Sequence, residues 1–245
     1  MLQAPRRTGF SGPTLVRLLA RLTQADASEP GTSLSSQLSQ WLGWADAIAL
    51  SSALKGKAPA VAAGLRAADS TEERECARVR ATLADAIAED GAAGRRRGPA
   101  RPSALPHPVD AQVDYAVYRQ RYVTLQQTME TAIGNLRGRL RIALSGRAAG
   151  MAKLAMIDAV MERVLGAREQ NLLGTVPTML EAHFQRLRQA EAAALADTQA
   201  AGQPATVAPG AWLGVFRKDM QSVLLAELEI RFQPIEGLLA ALRDS

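Results

Sequence analysis

A single cysteine, Cys76, leaves this chain without the means for an internal disulfide or a thiolate metal cluster. Histidine is almost as scarce. His107 stands between two prolines, Pro106 and Pro108, and His183 stands beside Phe184 with Glu181 and Arg186 nearby. Neither has further N, S or O ligands at metal-binding spacing, so a structural or solvated role is expected for both, and no metal is expected. Aromatic residues make up only 4% of the 245 residues, which leaves little material for stacking on nucleic-acid bases. No run of 18 apolar residues exists to cross a membrane as a helix, and no apolar stretch follows Arg6 and Arg7 to form a secretory signal. A lone thiol suits a reducing compartment, and the cytoplasm is the expected location.

Catalytic patterns are missing as well. Ser11-Gly12 and Ser145-Gly146 lack the G-x-S-x-G frame of a nucleophile elbow, and the stretch from Gly146 to Gly150 lacks the Lys-Ser/Thr ending of a phosphate loop. Glu72, Glu73 and Glu75 crowd one helix start, where negative charge suits the dipole, and Glu227 and Glu229 fall on different sides of a helix. The expectation is a protein that is not an enzyme and carries no cofactor.

What is abundant is alanine and leucine. Apolar residues reach 47%, and with so few aromatics the core must be built mainly from strong helix formers. The expected fold is all-α, with a small helical unit over residues 1–90, an Arg/Pro/Gly linker over 91–110, and a long antiparallel helical hairpin or bundle with coiled-coil-like packing over 111–245.

In the first segment, Leu15, Leu18, Leu19 and Leu22 mark a helix opened by Pro13. Beyond the loop 24–33, one continuous helix is expected to bury Leu34, Leu38, Trp41, Leu42, Ala45, Ile48 and Ala49 and to stop near Gly56. Ser70 and Glu73 form a capping box for a helix striped by Cys76, Val79, Leu83 and Ile87. The linker, GAAGRRRGPARPSALPHP, is too rich in proline and glycine to bury a face.

In the second segment, Asp110 is a plausible N-cap for a helix running to about Leu144. Its stripe is Tyr115, Tyr118, Tyr122, Leu125, Met129, Ile133, Leu136, Leu140 and Leu144, close to a heptad with one stutter. Residues 145–150 allow a reversal. Met151, Leu154, Ile157, Met161, Val164 and Leu165 begin the next stripe, which Gly174 and Pro177 should kink or interrupt. Val176, Leu180, Phe184 and Leu187 continue it. A last helix from about Pro209 carries Leu213, Phe216, Met220, Val223, Leu224 and Leu228, and Pro234 should bend or end it.

The net charge of +5 divides unevenly. Residues 1–90 balance ten basic against ten acidic, 91–110 carry +3 and 111–245 carry +2. Two basic clusters result. Arg95, Arg96, Arg97 and Arg101 lie in the linker and read first as solvated charge. Arg137, Arg139, Arg141 and Arg147, with Lys153, surround the reversal and read first as cations that offset a helix C-terminus. Together they define the alternative function, a nucleic-acid-associated protein, which the even spread of charge elsewhere does not favour. Trp41, Trp44, Trp212 and the tyrosines anchor interfaces where exposed, but read first as core residues. Among them Tyr115, Tyr118 and Tyr122 are the best candidate contact surface for a protein partner or a second copy. The leading expectation is a helical protein–protein interaction or assembly protein.

The strings RTGFSGPTLVRLLARL, YRQRYVTLQQTMETAIGNLRGRLRIAL, LLGTVPTMLEAHFQRLR and WLGVFRKDMQSVLLAELEIRFQPIEGLLA resemble an uncharacterised proteobacterial domain-of-unknown-function family over most of the chain. The resemblance carries no activity and no site residue. It implies genes placed near those of a stator-like proton channel and a peptidoglycan-binding outer-membrane-type protein, and hence a cytoplasmic accessory to an envelope complex.

Overall fold

The structure, a computed structural model, describes residues 14–24, 34–55, 69–93, 114–201, 208 and 210–244. Among the described residues there are eight α-helices and no strand: α1 (Thr14–Thr23), α2 (Leu34–Trp41), α3 (Trp44–Lys55), α4 (Asp69–Ala93), α5 (Tyr115–Ser145), α6 (Ala149–Leu173), α7 (Val176–Ala200) and α8 (Ala211–Arg243). Asp110, His107, Pro209 and the four linker arginines lie outside the described residues, and so do the side chains of Leu34, Leu38 and Ser70.

Helix α5 is the spine. Its 31 residues reach about 46 Å at the helical rise. The described N-cap is Asp114, whose side chain accepts from the Ala116 N–H at 2.9 Å. Eight of the nine stripe positions are buried, Tyr118 being the partly exposed one. The chain then reverses. Arg137 meets Asp158, Gln170 meets Glu130, and Gln126 reaches the Leu173 carbonyl, so α6 runs back along α5. Tyr115 on α5 donates to the Pro177 carbonyl at the start of α7, so α7 continues the same descent.

The break between α6 and α7 has a steric requirement for glycine. A Cβ on Gly174 would stand 2.9 Å from the Gln170 carbonyl oxygen, so the close turn at the end of α6 excludes a side chain. Pro177 then sits in the first turn of α7, where its missing N–H costs nothing.

Helix α8 runs parallel to α5: Tyr118 pairs with Arg217, and one turn on Tyr122 pairs with Glu227. Pro234 does not end α8, which continues to Arg243. The lost backbone bond is offset by burial on both sides of it, since Phe232, Ile235, Leu238 and Leu242 are all in the core.

The expected separate N-terminal unit has no core of its own among the described residues. Helix α1 packs on α7 and α8, α3 packs on α6, and α4 packs on α8 and α5. Leu15, Leu22, Cys76, Leu83 and Ile87 share one hydrophobic cluster with the long helices. A 10-residue helix such as α1 cannot stand alone, and docking on a preformed groove supplies what its length does not.

The expected single helix over 34–55 is two. It breaks at Leu42 and Gly43, glycine being a poor helix former. The break shifts the phase of the second piece. Helix α3 therefore turns Asp46, Ala49, Leu50 and Ala53 inward and Ala45 and Ile48 outward, the reverse of the expectation for the last two.

Candidate functional site

The tyrosines singled out as a candidate contact surface are mostly inside. Tyr122 is fully buried and Tyr115 is 5% exposed. Tyr115, Phe184, Phe216 and Trp212 make a cluster with ring centroids 4.7–6.2 Å apart, largely edge to face. Tyr118 is half-buried at its edge, where its hydroxyl accepts from Arg217 Nε and Nη2. A hydroxyl at a stripe position does not require water when a carbonyl or carboxylate is within reach, and that is how Tyr115 and Tyr122 enter the core. Burial pushes the Tyr115 phenol up to about 12 and raises that of Tyr122 beyond the range of ordinary titration, so both remain neutral.

Tyr122 belongs to a buried polar network that the sequence did not reveal. Glu227, with no exposed surface, accepts from the Tyr122 hydroxyl at 2.7 Å, from Gln126 Nε2 at 3.1 Å and from Arg231 at 3.0 Å. Arg231 also donates to Glu169, and Gln126 Nε2 also donates to the Leu173 carbonyl at the end of α6. The carboxylate is compensated by one full charge and two neutral donors, which is the condition for keeping a charge in a protein interior. The network ties α5, α6 and α8 together beside the break at Gly174. Every member has a partner within the protein, so the geometry is that of a structural pin.

Three of the arginines around the reversal are similarly engaged. Arg137 holds Asp158 at 2.6 Å, Arg141 holds both Asp158 and Glu162, and Arg139 reaches Glu72 and Glu75 on α4 at 3.2 Å. They fasten α5 to α6 and to α4. Arg147 also has a partner. His183 stands 2.9 Å from Asp219 at 9% exposure, another internal pair. Among the described residues no group of three His, Cys, Asp or Glu could hold a metal ion. No helix is long and apolar enough to cross a membrane among the described residues.

Two clefts open on the bundle. One of about 280 Å³ lies at the start of α5, between Asp114, Arg119, Glu181 and Arg188. The other, about 190 Å³, lies between α5, α6 and α8 and is walled by Gly134, Gly166 and Pro234 over a floor that includes Ile133 and Leu165. Neither gathers a nucleophile, a base and an oxyanion donor around one point.

Helix α3 presents a different kind of surface. Its inner face lies on α6, held by the ion pair of Asp46 with Arg163 at 3.1 Å, while Arg168 of α6 stacks over Trp41 just before the break. The outer face is apolar as well. Trp44 is 83% exposed, and Ile48 and Leu54 are each 49% exposed. Ala45 and Ala47 lie exposed with them. Grouped large apolar side chains on a helix are ordinarily buried, yet among the described residues nothing removes Trp44, Ile48 and Leu54 from water. Trp44 reads as core from the sequence, and its outward position goes with the break at Gly43, where the helical phase is reset.

No curated protein and no solved structure matches the chain. A family model does, over residues 1–244, and it is described as "Protein of unknown function (DUF3348)". The chain belongs to that uncharacterised all-helical family.

Proposed function

We propose that this is a non-enzymatic, helical protein–protein interaction or assembly protein of the cytoplasm, with the outer face of α3 as its contact surface. One observation carries the reading: a helix face on which an indole is 83% exposed beside Ile48 and Leu54, each 49% exposed. Exposed Trp, Ile and Leu grouped on one helix gain free energy only when another surface removes them from water, at about 25 cal/mol per Å² of apolar area. Tryptophan is among the residues that most often anchor such contacts.

The test is a photo-crosslinkable amino acid at position 44 of the full chain, expressed in its native host. A discrete protein adduct is expected from position 44. None is expected from position 117, which is also exposed but lies on α5, outside this face. Absence of any adduct at 44, or equal adducts at both positions, overturns the reading.

A further inference from the structure

We infer that the cleft between α5, α6 and α8 binds a small organic cation, an ammonium carried on a compact apolar body such as an arylalkylamine. The inference stands apart from the α3 contact and uses none of its exposed residues.

The backbone makes the space. Gln170 donates to Glu130, so these two lie level on the antiparallel pair α5 and α6, and Gly134 and Gly166 face the same gap about one turn further along. A Cβ on either glycine would meet nothing within 4 Å, so room that side chains would fill is left open. Ile133, Met161, Leu165, Ile230 and Pro234 give the cleft an apolar lining. Its volume, about 190 Å³, exceeds the roughly 150 Å³ that admits a benzene ring and falls short of a drug-sized site. The body that fits is one ring or a short chain.

Charge fixes the head group. Arg137 and Arg141 are matched by Asp158 and Glu162, two against two. Arg231 is shared between the fully buried Glu227 and the partly exposed Glu169, one against two. Glu130 accepts from the neutral Gln170 amide and forms no ion pair among the described residues. The two arginines of α6, Arg163 and Arg168, are turned to Asp46 and Trp41. Two negative charges are therefore left without a cation, and the residues at which they reach water, Glu130 and Glu169, both line the cleft. Low-dielectric walls focus that field on whatever enters, which favours a cation and repels an anion.

The wall also carries a backbone acceptor. Pro234 has no N–H to give the Ile230 carbonyl one turn earlier, and both residues line the cleft. An ammonium has three donors, which match two carboxylates and one carbonyl in number.

The experiment is a saturation-transfer NMR titration of 2-phenylethylammonium against the full chain, with circular dichroism melts on each variant. Saturable binding with a Kd of roughly 0.1–1 mM is expected for a ligand of so few atoms. The neutral isostere 2-phenylethanol, the anion phenylacetate, and putrescine, which has charge but no apolar body, should each bind more weakly. Glu130→Gln should weaken binding roughly two- to fivefold, as for loss of a partly exposed ion pair, and Glu130→Lys should abolish it. Gly166→Leu fills the cleft and should abolish binding with the helical fold intact, while Glu229→Gln, a carboxylate outside the cleft, should change nothing. No saturable binding of the ammonium overturns the inference. So does binding of 2-phenylethanol or putrescine as tight as that of 2-phenylethylammonium, or binding that survives both Glu130→Lys and Gly166→Leu.

Discussion

Replacing Glu227 by glutamine probes the buried network with almost no change in volume. The carboxylate is fully inside and faces the Tyr122 hydroxyl, the Gln126 amide and two nitrogens of Arg231. Glutamine keeps one acceptor oxygen and turns the other into a donor, which must point at a group that is itself a donor. It also leaves the Arg231 guanidinium, whose side chain is 8% exposed, with Glu169 as its remaining anionic partner. Breaking a buried ion pair from one side costs about 3–5 kcal/mol. Glu169 is 40% exposed and still holds one edge of the guanidinium, which puts the expected cost at the lower end, about 3 kcal/mol. For a chain of this size that corresponds to a fall in midpoint of roughly 6–12 °C. Urea unfolding followed by circular dichroism gives the free energy directly. The double variant Glu227→Met/Arg231→Met should recover part of the loss, because replacing both charges by apolar groups removes the stranded cation. A Glu227→Gln protein within about 1 kcal/mol of wild type, or a double variant worse than the single, would refute the view that the network is a compensated ionic pin.

Three further outcomes follow from the same structure. Gly174→Ala should destabilise by about 1–2 kcal/mol, since its Cβ would meet the Gln170 carbonyl oxygen at 2.9 Å, whereas Gly134→Ala or Gly166→Ala, with nothing within 4 Å of the new carbon, should stabilise by about 0.5–1 kcal/mol; paired thermal melts decide both. Glu191→Ala should cost about 1–2 kcal/mol in urea unfolding, because the carboxylate accepts from the Gly210 and Trp212 N–H groups that open α8. Stability should hold up to about pH 9 and then fall: burial raises the Cys76 thiol from 9.0 to about 11 and Tyr115 from 10.0 to about 12, so the unfolded chain releases these protons first and each increment of pH favours unfolding until the folded groups also ionise. A midpoint that rises between pH 9 and 11 would contradict that sign, as would rapid alkylation of the native thiol at neutral pH.

The long stripes were the legible part of this chain. From Tyr115 to Leu144 the spacing of apolar residues named the buried face of α5 at all but one position, because a 31-residue helix packed against α4, α6, α7 and α8 leaves its periodicity little competition. Short or interrupted helices were harder. Ala45 and Ile48 continue the pattern of Trp41 and Leu42 on paper, but the break at Gly43 restarts the helix with a new phase and sends them to the outside. Pro234 read as a bend or an end because local chemistry opposes a helix there; the helix does not end, and Ile235, Leu238 and Leu242 beyond it are buried.

The candidate site was less legible than the fold. Arg137, Arg139 and Arg141 resemble an exposed basic patch when read along the chain, and their carboxylate partners sit 17 to 67 residues away. Such pairing depends on which helix faces which, and hydrophobic spacing does not carry that information. Glu227 was invisible for the same reason: its partners Tyr122 and Gln126 are 105 and 101 residues distant, and only the parallel register of α5 and α8 brings them to it.

Hydroxyl-radical footprinting of the full chain, compared between its native host cells and the purified protein, tests the docking face most directly. Trp44, Ile48 and Leu54 should be labelled less in the cell than after purification, while Val117, exposed on α5, is labelled equally in both. Equal labelling of the three α3 residues in both, with protection gained at Val117 instead, would place the contact elsewhere and contradict the assignment of α3.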